Sequence, residues 1–107
     1  MAKHYALDCP LARTLDIIGE RWTILVLRDL FLAGPRRYQD FVDSLTDISP
    51  NTLSDRLKTL EAHGIVERHF YSDHPPRAEY RLTSKGKELG PVLKSLRAWG
   101  LKHTASA

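Results

Sequence analysis

Residues 48–64 contain the clearest hydrophobic pattern in the chain. Three leucines recur there at spacings of four and three, the period of an α-helix with one narrow apolar face: Leu53, Leu57 and Leu60. Ser49 and Pro50 predict the start of this helix, because a serine side chain accepts a hydrogen bond from the first turn and proline at the first position loses only an amide without a helical partner. Gly64 predicts its end, because glycine readily takes the left-handed conformation that often closes a helix.

The opposite face of this helix carries short polar side chains. A rotation of 100° per residue from the leucines places on that face Asn51, Asp55, Lys58 and Ala62, flanked by Thr52, Ser54 and Thr59. Short polar groups on a rigid helix can approach the edges of DNA bases closely. A solvated helix of a small helical domain explains the same pattern, so the neighbouring segments must decide between the two interpretations.

Helices are also predicted before this segment. The first starts at Pro10 and ends at Gly19, and the second covers residues 21–33 and is apolar on nearly all sides. Such a helix must be covered on most sides, by its own domain and, in a dimer, by another subunit, so it is predicted to be the central core helix. A short helix at 38–45, joined by the turn 46–48 to the leucine-bearing helix, completes a helix-turn-helix.

Extended segments follow Gly64. β-Branched and aromatic residues predict strands at 65–71 and 78–83, separated by a six-residue tip that contains two prolines and Arg77. Thr83 then caps a last helix, which should kink or restart at Gly90 and Pro91, because proline removes one helical hydrogen bond.

A helix-turn-helix followed by a two-stranded hairpin is the plan of a winged helix. The predicted fold is mainly α with a small β-hairpin, arranged as a single winged helix-turn-helix domain over residues 1–107. Its parts are the helix-turn-helix at about 38–63, the wing at about 65–83, and terminal helices at about 10–19 and 84–103. The terminal helices supply more apolar surface than a domain of this size needs, which predicts a homodimer that buries this surface.

The charge of the chain is mildly basic and unevenly distributed. The formal net charge is +3, and residues 54–107 carry ten Lys and Arg against six Asp and Glu. This excess is compatible with a polyanionic partner such as double-stranded DNA. No apolar run approaches the roughly 18 residues that span a bilayer, and the N-terminus lacks the features of a secretory signal. We therefore expect a cytoplasmic protein without a membrane partner.

Patterns typical of catalysis or metal binding are missing from the sequence. Its five histidines and Cys9 do not form a zinc-ligand spacing, and it contains no Ser/His/Asp elbow or glycine-rich phosphate loop. We therefore expect no enzyme activity, no metal and no cofactor.

Five segments of the chain carry a family pattern: residues 9–22, Gly34-Pro-Arg-Arg-Tyr38, Ile48-Ser-Pro-Asn-Thr-Leu-Ser-Asp-Arg-Leu57, residues 60–68 and residues 75–83. Together they resemble the bacterial HxlR-type winged-helix transcriptional regulators, distant relatives of the MarR-type regulators. The resemblance extends from residue 9 to about residue 100. It implies a homodimeric DNA-binding regulator whose N-terminal and C-terminal helices build the dimer. Some members of this family sense oxidants or electrophiles through the cysteine at the position of Cys9.

Ten residues are predicted to contact DNA: Arg36, Arg37, Ser49, Asn51, Thr52, Ser54, Asp55, Arg56, Lys58 and Arg77. Asn51 is suited to pair with an adenine edge, Asp55 to accept from a cytosine amino group, and Lys58 to reach a guanine or a phosphate. The positions of Asn51 and Asp55 vary within the family, so the resemblance does not give the DNA sequence that is read. For each of these side chains, a solvated surface position is the alternative.

The predicted arginine contacts concern the DNA backbone. Arg36 and Arg37 precede the helix-turn-helix, where phosphate contacts position a protein without reading sequence. Arg77, at a proline-stiffened tip, suits contact with the minor groove or the backbone. Arg56 lies at the shoulder of the leucine face, where a structural ion pair and a phosphate contact fit equally well.

Cys9 directly precedes Pro10, at the start of a predicted helix. The positive end of the helix dipole favours a reactive thiolate there, whereas an unreactive free cysteine is the alternative. The sequence as a whole predicts a transcriptional repressor that binds an inverted-repeat site as a homodimer and responds to a small-molecule or oxidant effector. The competing interpretation is a winged-helix protein-interaction module that does not bind DNA.

Overall fold

The computed structural model describes residues 7–105, which form a mainly helical structure with one small sheet. Its elements in chain order are α1 (Pro10–Ile18), α2 (Thr23–Ala33), β1 (Arg36–Arg37), α3 (Tyr38–Ser44), α4 (Pro50–Ala62), β2 (Val66–Asp73), β3 (Pro76–Leu82), α5 (Ser84–Lys87) and α6 (Gly90–His103). Helices α3 and α4 form the helix-turn-helix, and β2 and β3 form the wing. The fold class predicted from the sequence, a winged helix-turn-helix with additional terminal helices, is confirmed.

Both ends of α4 follow the sequence signals. The Oγ of Ser49 accepts a hydrogen bond from the backbone N–H of Thr52 at 3.1 Å, and Pro50 is the first helical residue. Gly64, just beyond the helix, has a φ of 70°, which is the left-handed conformation that favours glycine. The predicted start and end of this helix are therefore confirmed.

The α4 leucines lie in the centre of the core. Leu53 and Leu60 are fully buried, and Leu57 is 2% exposed. They form one cluster with Leu27 of α2 and Phe41 of α3, which are also fully buried. The prediction that the apolar second helix is the central core helix is confirmed, although this helix begins at Thr23 rather than at residue 21.

The sheet contains three antiparallel strands in the order β1-β3-β2. Arg36 and Arg37 form β1 and pair with Tyr80 and Glu79 of β3. The sequence did not predict this strand, because two residues are too few to display the alternation of a strand. The pairing joins the segment that leads into α3 to the wing.

The predicted six-residue tip of the wing is wrong. β2 continues to Asp73 and β3 begins at Pro76, so only His74 and Pro75 connect the strands, through a cis peptide bond. Pro76 is compatible with the sheet because it is the first residue of its strand. Arg77 consequently lies inside β3, opposite Ser72, and not in a loop.

The last helix is interrupted at residues 88–89 and restarts at Gly90 and Pro91, the first two residues of α6, as predicted. Helix α5 packs against the start of the wing at Gly86, where the backbone comes so close to Ile65 that a Cβ would overlap the carbonyl oxygen of that residue. Thr83 strengthens the junction, since its Oγ1 accepts a hydrogen bond from the backbone N–H of Gly86 and donates to the carbonyl oxygen of Gly64.

Apolar side chains on the terminal helices remain exposed. On α6 they form one stripe at helical spacing, consisting of Val92, Leu96 and Trp99, and Trp99 is 63% exposed. On α1, Leu11 and Leu15 are also exposed. Among residues 7–105, no helix is both long enough and apolar enough to cross a membrane.

The close approach at Gly86 generates a stability prediction. Gly86→Ala should lower the free energy of unfolding by about 2 kcal/mol, because the added methyl group displaces the backbone of Ile65. Gly100→Ala in α6 is the matched control: its Cβ would lie 4.0 Å from the nearest atom, and alanine favours a helix by up to about 1 kcal/mol over glycine. Urea unfolding at one fixed protein concentration measures both, and a Gly86→Ala variant as stable as the wild type would contradict this description of the junction.

Candidate nucleic-acid interface

Helix α4 presents its polar face to solvent. Asn51, Asp55, Lys58 and Ala62 are all exposed, on the side of the helix opposite the buried leucines. The face carries one cation and one anion and is otherwise short and neutral. An α-helix fits the major groove of B-DNA, where short side chains can reach base edges. The geometry predicted for this helix is therefore present.

Three further predicted residues of this segment are engaged within the protein. The Oγ of Ser49 donates to the Oγ1 of Thr52 at 2.8 Å while accepting from the Thr52 backbone, so both hydroxyls complete the first turn of α4. Ser54 lies beside them and directs its Oγ toward the hydroxyl of Tyr38, at 3.5 Å. These polar groups shape the start of the helix, and their contact with DNA stays a prediction.

Arg36 is directed into the protein. Its side chain is 23% exposed, and its Nη2 lies 3.5 Å from Oδ2 of Asp29, a carboxylate that is 4% exposed. Arg28 donates to the other oxygen of the same carboxylate, at 3.0 Å. A buried carboxylate is costly without a cationic partner, and the two arginines supply that partner. The structure thus places Arg36 in an ion pair that joins β1 to α2.

Arg37 points to solvent on the other face of β1. It pairs with Asp40, whose carboxylate accepts hydrogen bonds from the backbone N–H of Arg37 at 2.9 Å and from its guanidinium at 3.2 Å. Hydrogen bonding to the Arg37 side chain lowers the pKa of the Asp40 carboxyl, and the same bond raises the pKa of Arg37. Asp40 also satisfies an amide at the start of α3, so this arginine is exposed but held in one place.

Arg56 and Arg77 have different environments. The Arg56 side chain is 17% exposed, and its Nε lies 4.0 Å from Oε1 of Glu20, which precedes α2. Of the two interpretations left open for Arg56, the structure contains the ion pair. Arg77 is exposed near the end of the wing. The predicted residues with exposed side chains therefore include Asn51, Asp55 and Lys58 of α4 and Arg77 of the wing, together with Arg37, which is exposed but paired with Asp40.

The basic excess of the chain does not lie on the helix-turn-helix. Residues 36–83 carry seven Lys and Arg against eight Asp and Glu, whereas residues 84–107 carry five against one. The cations of the second group are Lys85, Lys87, Lys94, Arg97 and Lys102. The uneven charge noted from the sequence therefore belongs mainly to α5 and α6.

Several contacts near this surface were not predicted. Arg68 of β2 pairs with Glu61 of α4 at 3.1 Å, and its guanidinium lies 5.7 Å from the centre of the Phe70 ring. Burial raises the pKa of the Tyr80 hydroxyl, and the ring of Tyr80 packs edge-on against Phe41. The spacing of these residues in the sequence gives no signal for such contacts, because each one depends on the register of the wing.

The described residues include one small apolar groove. Residues 7–105 contain no group of three or more His, Cys, Asp or Glu side chains arranged to hold a metal ion. A shallow apolar groove between α1 and α5 has a volume of about 190 Å³ and is lined in part by Ile17, Ile65 and Leu89. Pockets for small organic ligands usually measure about 300–1,000 Å³, so this groove is small for an effector.

Comparisons with known proteins agree with this fold. The HxlR-like helix-turn-helix family matches residues 17–107. An uncharacterised HTH-type transcriptional regulator of Synechocystis is 45% identical over 92 residues, which cover 86% of this chain and 67% of that protein. A second such regulator, from Halalkalibacterium halodurans, is 38% identical over 90% of this chain and 85% of its own length.

Solved structures give the same result. The redox regulator HypR in its oxidised form has a TM-score of 0.83 and 34% identity, over 92% of this chain and all of that one. The reduced form of the transcriptional regulator YodB from Bacillus subtilis has a TM-score of 0.75 and 32% identity, over 92% and 96% of the two chains. These relatives are transcriptional regulators and not enzymes, and this chain belongs to the HxlR-like helix-turn-helix family of transcriptional regulators.

Proposed function

We propose that residues 1–107 form one domain that binds DNA sequence-specifically as a homodimer and represses transcription from an inverted-repeat operator. The observation that carries the proposal is the outward face of α4. It is rigidly supported by three buried leucines and presents Asn51, Asp55 and Lys58 to solvent. Two such helices related by a two-fold axis would enter successive major grooves.

The proposed contacts with DNA fall into base contacts and phosphate contacts. Asn51 is the candidate for a bidentate pair with adenine, Asp55 for a cytosine amino group, and Lys58 for a guanine or a phosphate. Arg37 and Arg77 are the candidates for phosphate contacts, because both are exposed. Arg36 and Arg56 would act mainly through the shape of the helix-turn-helix, since both side chains are mostly buried. Ser49, Thr52 and Ser54 would act through their hydrogen bonds at the start of α4.

The terminal helices offer an apolar surface for contact with a second subunit. Leu96 and Trp99 of α6 and Leu11 of α1 are more than half exposed, and an apolar stripe of this kind is usually covered in solution. A two-fold contact between terminal helices would bury it in both subunits at once.

Regulation by oxidation is the second part of the proposal. Cys9 is partly exposed and immediately precedes α1, next to the surface assigned to the dimer. HypR is described as a redox regulator and has been solved in oxidised and reduced forms. Since this chain has one cysteine, a disulfide would have to join Cys9 of two subunits or attach a separate thiol.

One observation favours the competing function. Residues 36–83 carry no net positive charge, whereas the cations of α6 have no acidic partner within residues 7–105. A protein-interaction module that binds an acidic partner through α6 would use that charge. Recovery of a stoichiometric protein partner, unaffected by nuclease treatment, would support this alternative.

The first prediction concerns Lys58. Lys58→Ala should weaken binding to the operator by about 1–3 kcal/mol if the lysine contacts a base, and should reduce the salt slope by about 1 if it contacts a phosphate. Lys87→Ala is the control, because Lys87 is exposed on α5, outside the helix-turn-helix. Fluorescence anisotropy over a series of salt concentrations measures both effects. Equal losses of affinity in the two variants would contradict the proposal that Lys58 of α4 contacts DNA.

The second prediction concerns the dimer. Wild-type protein should sediment as a dimer at micromolar concentration, and Leu96→Glu should sediment as a monomer, because the new carboxylate would have to be buried without a partner. Ala98→Glu introduces the same side chain on another side of α6 and should leave the dimer intact. A Leu96→Glu variant that remains dimeric would show that α6 does not form the interface.

The third prediction concerns Cys9. Treatment with a quinone or with diamide should lower operator affinity tenfold or more, about 1.4 kcal/mol. With diamide, two Cys9 thiols lose two protons and two electrons, which reduce diamide to its hydrazine, and the disulfide alters the spacing of the two recognition helices. Cys9→Ser should bind the operator normally and not respond. Unchanged affinity of the fully oxidised wild type would make Cys9 a bystander.

A further inference from the structure

A tyrosine hydroxyl joins the beginnings of the two helices of the helix-turn-helix. Tyr38 is the first residue of α3, and its hydroxyl donates to the carbonyl oxygen of Pro50, the first residue of α4, at 3.1 Å. Ser54, one turn further along α4, donates from its Oγ to the same hydroxyl at 3.5 Å. The phenol therefore contacts both the backbone and a side chain of the first turn of α4.

The apolar core does not account for this hydroxyl. The ring of Tyr38 is partly buried and packs against the core cluster, where a phenylalanine ring would fill the same space. The carbonyl oxygen of Pro50 also lies where it accepts the backbone hydrogen bond of α4, so it would not be left unpaired without the tyrosine. The core thus requires the ring of Tyr38, whereas its hydroxyl affects only how the start of α4 is held.

The two ends of α4 are held in different ways. At its C-terminal end the chain passes directly into the wing, with the N–H of Ile65 donating to the carbonyl oxygen of Leu60 at 2.9 Å and Arg68 paired with Glu61. The N-terminal end follows a turn, and the Tyr38 hydroxyl ties it to α3. This is the end whose side chains usually contact base edges in a helix-turn-helix.

A small tilt at this end has a large effect. Helix α4 has 13 residues and is about 20 Å long. A tilt of about 5° about its C-terminal end moves its first residue by about 1.7 Å. Hydrogen-bond distances vary only between roughly 2.7 and 3.2 Å, so this shift is about three times the width of that range. Contacts with phosphates through long side chains tolerate such a shift, whereas bidentate contacts with base edges do not.

We propose that Tyr38 is a positioning residue: its hydroxyl fixes the angle of α4 and so contributes to discrimination between operator and non-specific DNA. This inference rests on the proposed function, in which α4 reads base edges. The Tyr38 hydroxyl acts through Pro50 and Ser54, without touching DNA. It affects specificity more than overall affinity, because non-specific binding depends mainly on charge.

Tyr38→Phe tests the proposal, with Tyr80→Phe as the matched control. Tyr80 belongs to the same aromatic region, with its ring 6.2 Å from that of Phe41, and its hydroxyl has no hydrogen-bond partner within residues 7–105. Duplexes enriched by selection with the wild-type protein, and scrambled duplexes of the same composition, serve as probes. We expect Tyr38→Phe to lower the ratio of the two affinities three- to tenfold, entirely through weaker binding of the selected duplex. Tyr80→Phe should keep the ratio within twofold.

A second readout does not involve DNA. In the free protein, amide hydrogen exchange at residues 53–56 should accelerate at least threefold in Tyr38→Phe, whereas exchange at residues 58–61 should match the wild type. If the wild type discriminates between the duplexes, two results would overturn the role of Tyr38 without touching the proposed function. One is an affinity ratio in Tyr38→Phe equal to that of the wild type, and the other is unchanged exchange at residues 53–56. A wild type that prefers no duplex overturns the proposed function, and this inference with it.

Discussion

Burial of one face of α4 is the constraint on which the surface chemistry depends. Leu53, Leu57 and Leu60 occupy the centre of the core, and fully burying each contributes about 2 kcal/mol. Rotation of α4 by a single residue would turn the leucine face by 100° and expose part of it to water. Because whole domains are stable by only about 5–15 kcal/mol, that rotation is not accessible to the folded protein. The same packing therefore determines that Asn51 and Lys58 face outward.

Internal ion pairs limit the charge that remains for the proposed contacts with DNA. Arg36 pairs with the buried Asp29, and Arg56 of α4 is directed toward Glu20, so two of the predicted contact residues are directed into the protein. The exposed cations on this side are few, and acidic residues balance them over residues 36–83. In the proposed complex with DNA, recognition should therefore depend more on base contacts by α4 than on counterion release along the backbone.

The sequence predicted the elements whose signals are local. The start of α4 at Ser49 and Pro50, its end at Gly64 and the break at Gly90 all follow from the preferences of individual residues, and all are present. The two-residue strand β1 was not predicted, since its residues become a strand only by pairing with β3. The wing tip is shorter than predicted, because proline interrupts a strand only in its interior and Pro76 is the first residue of β3.

The site shows the same division between local and long-range information. The outward face of α4 followed from helical periodicity, which is a property of the segment itself. The partners of Arg36 and Arg56 lie 7 and 36 residues away in the sequence, so no local pattern indicates them. The role proposed for Tyr38 depends on a similar contact: its ring packs against the core cluster, while its hydroxyl reaches a residue of the next helix, 12 positions away.

Selection of bound duplexes from a random library by the purified wild-type protein tests directly whether α4 reads DNA. We expect enrichment of an inverted repeat whose half-site centres lie one helical turn, about 34 Å, or a whole multiple of it apart. We also expect that substitution of Asn51 changes the preferred bases within each half-site. A library that shows no enrichment at physiological salt would contradict the claim that this helix-turn-helix reads DNA.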